Sequence, residues 1–172
     1  MIGIMYRRRH LLPVSCIKTV YFSLVHSVLI YGIEIYGNAS YCYLKPLITK
    51  CNTLLRVLQF SNKFTKIVDL YKKYNTLPVD CLFNYYILKL MHRCMYDRFG
   101  LPKVISNLFT INKSIHDHNT RSHSDFHLSN SIDKNSLAFL GPKLWSKLPQ
   151  EIKDVTSQSI FLKLIKNHLI NQ

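Results

Sequence analysis

Residues 82–95 read LFNYYILKLMHRCM, and their apolar side chains recur in pairs about every four residues. This spacing lines one face of an α-helix, so the stretch predicts a long buried helix. Pro78 suits the first turn of this helix, and Gly100 and Pro102 mark where it stops. The aromatic and methionine side chains are therefore interpreted as core residues rather than as a cofactor-binding box.

Helical spacing of apolar residues also occurs on both sides of this stretch. Gly32 and Gly37 end the first of these helices, and Ser40 suits the N-cap of the second. The last helix is amphipathic and closes the chain. A mainly α fold is therefore predicted, with apolar stripes over residues 17–31, 44–58, 67–71 and 160–169.

The region before the last helix has a different composition. Residues 111–135 are rich in Ser, Asn, Asp and His and show little periodicity, which predicts an extended or looped segment. Residues 136–140 are predicted to form a short strand, and the Pro-containing pairs that follow predict a tight turn holding Trp145. We expect a helical domain over residues 1–110 and a C-terminal extension over residues 111–172.

The charge of the chain indicates its partners. Its 172 residues carry 23 Lys and Arg against 9 Asp and Glu, a formal net charge of +14. Such an excess favours polyanions, of which nucleic acid is the commonest. A solvated helix face is the alternative interpretation of these side chains. The residues expected to contact the backbone of RNA or DNA, without reading sequence, are Arg7, Arg8, Arg9, Arg56, Lys63, Lys66, Lys72, Lys73 and Arg121.

The acidic residues argue against catalysis by this chain. Phosphoryl transfer needs metal ions held by several carboxylates, yet no two acids are adjacent and neither Y-x-D-D nor D-x-D occurs. His123 and His127 have i, i+4 spacing, but they lie in the looped segment without an H-E-x-x-H pattern. We therefore expect no catalytic residue, no metal site and no cofactor.

Cysteine usage and hydropathy indicate the compartment. The five cysteines are odd in number and none has C-x-x-C spacing, which favours a reduced, intracellular chain, cytoplasmic or nuclear. The longest uncharged run, between Lys18 and Glu34, is shorter than the roughly 20 residues that span a bilayer. We expect this run to form a core helix, and we expect no membrane association.

Several segments, in order, resemble the region that follows the catalytic core in jockey-like non-LTR retrotransposon reverse transcriptases. Residues 21–37 resemble the thumb signature, with Tyr36 where the family usually has Trp. Residues 115–122 resemble "iH.yNtRs", and residues 140–149 resemble "GpklWN.LP" with Ser146 in place of Asn. The residues that carry these motifs are Tyr21, Tyr31, Gly32, Gly37, Asn119, Gly141, Pro142, Trp145 and Pro149.

The resemblance implies a fragment of an RNA-directed DNA polymerase without its fingers and palm. It implies a thumb-like helical bundle with a short extended or β C-terminal tail and a final amphipathic helix. In such enzymes the thumb is expected to grip the primer–template backbone, which suits the charge excess. Two alternatives stay open: a non-functional remnant of a mobile element, and a protein-interaction module that acts with a reverse transcriptase core in trans.

Overall fold

The computed structural model describes residues 2–115, 125–128 and 136–170, and these are mainly α-helical, as predicted. The chain packs as two compact units, Met1–Phe83 and Asn84–Gln172. The division falls inside a long helix and upstream of residue 110, where the sequence predicts a domain boundary. The predicted domain organisation stays a prediction.

The first unit is built from short helices and one long one. Its buried core joins the second, fifth and sixth helices through Ile17, Leu55 and Leu70, which are at most 2 % exposed. The helices are α1 (Ile2–Arg8), α2 (Val14–Val20), α3 (Ser27–Ile30), α4 (Ile33–Tyr36), α5 (Tyr41–Leu58) and α6 (Ile67–Tyr74), followed by α7 (Val79–Tyr96), which enters the second unit.

The predicted helix over residues 17–31 is interrupted by a π-helical segment, Tyr21–His26. A π turn holds more residues than an α turn, so it changes which side chains face the core. Tyr21 is buried, and this burial raises its pKa to about 12. Leu24, Val28 and Tyr31 are 50 %, 68 % and 86 % exposed, so the predicted single buried stripe is wrong from Leu24 onward.

Two glycines close this region, as predicted. Gly32 has φ 70°, a left-handed conformation that glycine adopts without steric cost, and it precedes α4. Gly37 has an ordinary φ of −66° but no room for a side chain, because an added Cβ would lie 2.5 Å from the Ile33 carbonyl oxygen and from Phe83 Cδ2. The Tyr36 hydroxyl donates to the Leu29 carbonyl across the turn.

The described part of the second unit holds the rest of α7 and four further helices. Its core contains Trp145, 1 % exposed, whose ring centroid lies 5.7 Å from those of both Phe126 and Phe161. Trp145 is therefore a core residue of this unit. The further helices are α8 (Lys103–Ser106), α9 (Leu137–Ser146), α10 (Gln150–Lys153) and α11 (Gln158–Ile170).

The predictions of a strand at residues 136–140 and of a tight turn around Trp145 are wrong, because α9 covers both. Gly141 and Pro142 are typical turn residues, but here both are buried inside this helix. A Cβ on Gly141 would lie 2.5 Å from Met91 Sδ, so the glycine lets α9 approach α7 closely. Tertiary packing thus overrides the local preference for a turn. Pro149 is exposed and caps α10.

The described part of the looped segment contains a 3₁₀ turn, Asn112–Ser114, and a single antiparallel bridge between Ile111 and Phe126. Residues 125–128 are also held by an ion pair. Lys153 Nζ donates to both Asp125 carboxylate oxygens, at 3.0 and 3.1 Å, and Lys153 is largely buried. No β-strand occurs within residues 2–115, 125–128 and 136–170.

The final helix is present as predicted, but its buried face is narrower. Phe161, Ile165 and Leu169 are buried, whereas Ile160 and Leu164 are 53 % and 38 % exposed. The buried residues recur every four positions, which is the spacing of a single narrow stripe. That stripe is the fully buried part of α11.

We expect His92 to make the stability of the second unit depend on pH. Burial lowers its pKa from the usual 6.5, and its Nε2 donates to the Val155 carbonyl at 2.8 Å. Because the unfolded chain takes up this proton first, we expect the free energy of unfolding to decrease as the pH falls below about 6.5. Denaturant titrations at pH 7.5 and 5.5 measure the decrease.

A His92→Gln variant is the control, because glutamine keeps a hydrogen-bond donor but does not titrate. This variant should lose less stability than the parent between pH 7.5 and 5.5. An equal loss would contradict the assignment to His92.

Candidate nucleic-acid interface

The basic segment at residues 7–9 is tied to the C-terminus of α5. Arg9 Nη1 donates to the Val57 carbonyl at 2.9 Å. From the same helix end, Arg56 Nη2 donates to the Thr65 carbonyl at 3.5 Å, at the far end of the loop that leads to α6. The structure therefore places the basic segment at residues 7–9 next to the end of α5 and the loop that follows it, although the two regions lie about fifty residues apart in the sequence.

The loop begins with a left-handed helix cap. The Ser61 N–H donates to the Arg56 carbonyl at 3.0 Å and the Phe60 N–H to the Val57 carbonyl at 3.4 Å, which is the Schellman pattern. Glycine usually occupies the left-handed position, but here it is Phe60, with φ 53°. A residue with a Cβ costs roughly 1–2 kcal/mol in this conformation.

Arg9 is held between two aromatic rings. Its Cζ lies 4.6 Å from the Tyr6 ring centroid and 4.7 Å from that of Phe60, and the His10 ring meets Phe60 edge-on at 5.1 Å. Cation–π contacts of this kind contribute about 0.5–1 kcal/mol at exposed sites. Arg9 is half-buried and its guanidinium already has protein partners, so it orders the segment more than it offers charge to a ligand.

Arg56 is also half-buried, unlike a freely solvated cation. Its Nε is buried and has no hydrogen-bond partner among the residues that the structure describes. Its role in the first unit is to hold the loop through the Thr65 carbonyl. Of the predicted nucleic-acid contacts, Arg9 and Arg56 thus have structural partners of their own.

The remaining predicted cations of this unit are exposed. Within the described ranges, none of them forms an ion pair with a carboxylate. Lys66 directly precedes α6, and Lys72 lies in its last turn. The two positions are roughly 9 Å apart along the helix axis, so positive charge is available at both ends of this helix. The positions at its C-terminus also complement the helix dipole. These exposed residues are Arg7, Arg8, Lys63, Lys66, Lys72 and Lys73.

Exposed aromatic side chains accompany these charges, and sequence analysis did not single them out. Phe64 is 81 % exposed, Phe60 46 % and Tyr6 55 %. Lys63 Nζ lies 5.2 Å from the Phe64 ring centroid. The sequence signal was the FSNKFTK run at residues 60–66, where two phenylalanines alternate with polar and basic residues outside any helical stripe.

Some predicted residues lie outside the described part of the chain. These include Arg121 and Asn119 of the tail motif, and His123. His127 is described, and its Nδ1 lies 3.2 Å from Asn112 Oδ1. No group of three metal-ligating side chains occurs among the described residues.

The buried cysteines are not activated thiols. Cys51 and Cys94 are buried, and burial raises the pKa of Cys94 and Cys81 to about 11, so these groups stay protonated near neutral pH. A lowered pKa is what a nucleophilic cysteine needs. These thiols therefore act as packing groups.

Searches of protein-family models, curated proteins and solved structures found no match to this chain. In the part of the chain that the structure describes, no helix combines the length and the apolar character that a bilayer crossing requires.

Proposed function

We propose that the Met1–Phe83 unit binds the phosphate backbone of RNA or DNA without reading its sequence. The observation that supports this is the set of six exposed cations that have no acidic partner in the described residues. Lys and Arg side chains of this kind neutralise phosphates and release the counterions condensed on them. The proposed ancestry is a non-LTR retrotransposon RNA-directed DNA polymerase, whose thumb-like region these residues resemble.

A second candidate function is a protein-interaction module that acts with a polymerase core in trans. It is favoured by exposed apolar residues in the same unit, including Leu24 at 50 %, Val28 at 68 % and Ile35 at 87 %. Leu24 and Val28 border an open groove of about 240 Å³ lined almost entirely by apolar side chains. Surfaces of this composition commonly mark protein contacts.

The salt dependence of binding tests the first proposal. In a variant with Lys63, Lys66, Lys72 and Lys73 all changed to Gln, we expect weaker binding to a random-sequence duplex and a shallower log–log dependence on salt. The slope should fall by up to about one unit for each phosphate that the variant can no longer neutralise. Fluorescence anisotropy over a salt series measures both quantities.

A charge-matched control separates a local interface from net charge. Lys103, Lys113, Lys147 and Lys163 are exposed lysines of the second unit, and changing all four to Gln removes the same charge. We expect this control to bind nearly as the parent does. If both variants lose the same affinity and slope, the four lysines of the first unit form no specific interface, and the proposal fails.

A further inference from the structure

The loop between α5 and α6 presents an aromatic ring to solvent on a constrained turn. Phe64 is 81 % exposed, and the Thr65 N–H donates to the Asn62 carbonyl at 3.1 Å to close the turn that holds it. Burial of a phenylalanine ring is favourable, so an exposed ring gives up that stabilisation. A largely exposed ring beside Lys63 offers a face on which a flat, negatively charged ligand can stack.

The turn is anchored at both ends, so the ring is not on a free loop. The Ser61 N–H and the Thr65 carbonyl both bond to Arg56, and Gln59 Nε2 donates to the Leu70 carbonyl at 2.7 Å in the core. Because the loop is ordered before any ligand arrives, little conformational entropy is lost on binding.

A second, partly exposed platform lies at the start of the same loop. The Phe60 ring is 46 % exposed and stacks against the Arg9 guanidinium, which in turn contacts Tyr6. Replacing Phe60 by glycine, the residue that this cap favours, would relieve the strain of the left-handed backbone conformation. Strain that persists where a ring is displayed is typical of a functional position.

We propose that this loop binds single-stranded nucleic acid, with bases stacking on Phe64 and Phe60 and with Lys63 and Lys66 contacting the adjacent phosphates. The inference rests on the proposed nucleic-acid function and specifies its ligand. Stacking on exposed aromatic rings beside basic residues is how proteins bind single strands without sequence preference. In a duplex the bases are already stacked on each other and their faces are closed to these rings.

The test compares a 20-nucleotide oligo(dT) with a random-sequence duplex for the parent and for Phe64→Ala. We expect Phe64→Ala to weaken binding of the single strand by about 5- to 100-fold and to leave duplex binding within about twofold of the parent. A single strand that contains 2-aminopurine should show stacking by fluorescence quenching with the parent, and less quenching with the variant. The matched control is Phe99→Ala in the second unit, which removes another fully exposed phenylalanine and should change neither ligand's binding.

Phe60→Gly gives a second readout that does not depend on loss of folding. Glycine keeps the left-handed cap and relieves its strain, but it also removes the ring contacts with Arg9 and His10, so the unfolding midpoint should stay close to that of the parent. The variant should nevertheless bind the single strand more weakly. Unchanged single-strand binding by both Phe64→Ala and Phe60→Gly would overturn the inference, and so would an equal loss on both ligands. If the lysine variant still weakens duplex binding in that case, the backbone-binding function stands and only the stacking inference fails.

Discussion

Replacing Trp145 by Ala should lower the free energy of unfolding by about 3–5 kcal/mol. The indole is 1 % exposed and packs edge-on against Phe126 and at a tilt against Phe161. Its removal therefore leaves a large cavity and breaks two aromatic contacts. Denaturant unfolding followed by far-ultraviolet circular dichroism measures the loss.

Trp145→Phe is the matched control, because it keeps an aromatic ring in the same place and should lose clearly less stability than Trp145→Ala. Since Trp145 is the only tryptophan, the emission of the parent also reports its surroundings. We expect a blue-shifted maximum that nucleic acid does not quench. A loss below about 1 kcal/mol for Trp145→Ala, or a water-like emission maximum that oligonucleotides quench, would contradict the burial.

Replacing Gly37 by Ala should lower the free energy of unfolding by about 1–3 kcal/mol. The backbone there is in an ordinary helical conformation, so the effect would come from space alone. The new Cβ would approach the Ile33 carbonyl oxygen and Phe83 Cδ2 to 2.5 Å and Phe83 Cβ to 2.9 Å. A backbone carbonyl cannot turn aside as a flexible side chain does, so the chain itself must shift.

Gly3→Ala separates this steric effect from the general effect of removing a glycine. Gly3 lies in α1, and an added Cβ there meets nothing within 4 Å. Alanine at that position should be neutral or should raise the stability by up to about 1 kcal/mol, as expected for a helical glycine. If both variants changed stability by the same amount, in either direction, the close packing at Gly37 would not be responsible.

The helices with strong periodicity were predictable from sequence because each buries one face. The stripes at residues 44–58 and 67–71 correspond to α5 and α6, and α7 covers the stretch at residues 82–95. Helical periodicity of apolar residues predicts a helix with one buried face, although the stripe over residues 17–31 shows that some of its members can stay exposed. The break in the helix at Gly32 was likewise indicated by the end of a stripe at a glycine.

The candidate site was only half predictable. Sequence identified its cations, but it ranked Arg9 and Arg56 with the others, whereas the structure gives both of them partners within the protein. It also overlooked Phe60 and Phe64, because the FSNKFTK run shows only that they lie outside a helical stripe and does not say how far each ring is exposed. Exposure is a property of the packed unit, and it has no local signature.

The sequence by itself determined the α-helical class, the final helix and the excess of positive charge, because these follow from composition and from periods of a few residues. Only the tertiary structure decided that residues 137–146 form a helix with a glycine and a proline buried inside it. The tertiary structure also decided that the segment at residues 7–9 packs against the C-terminal end of α5 and the start of the loop that follows it. Both depend on contacts between residues far apart in the chain, where the free energy of burial outweighs the local turn preference.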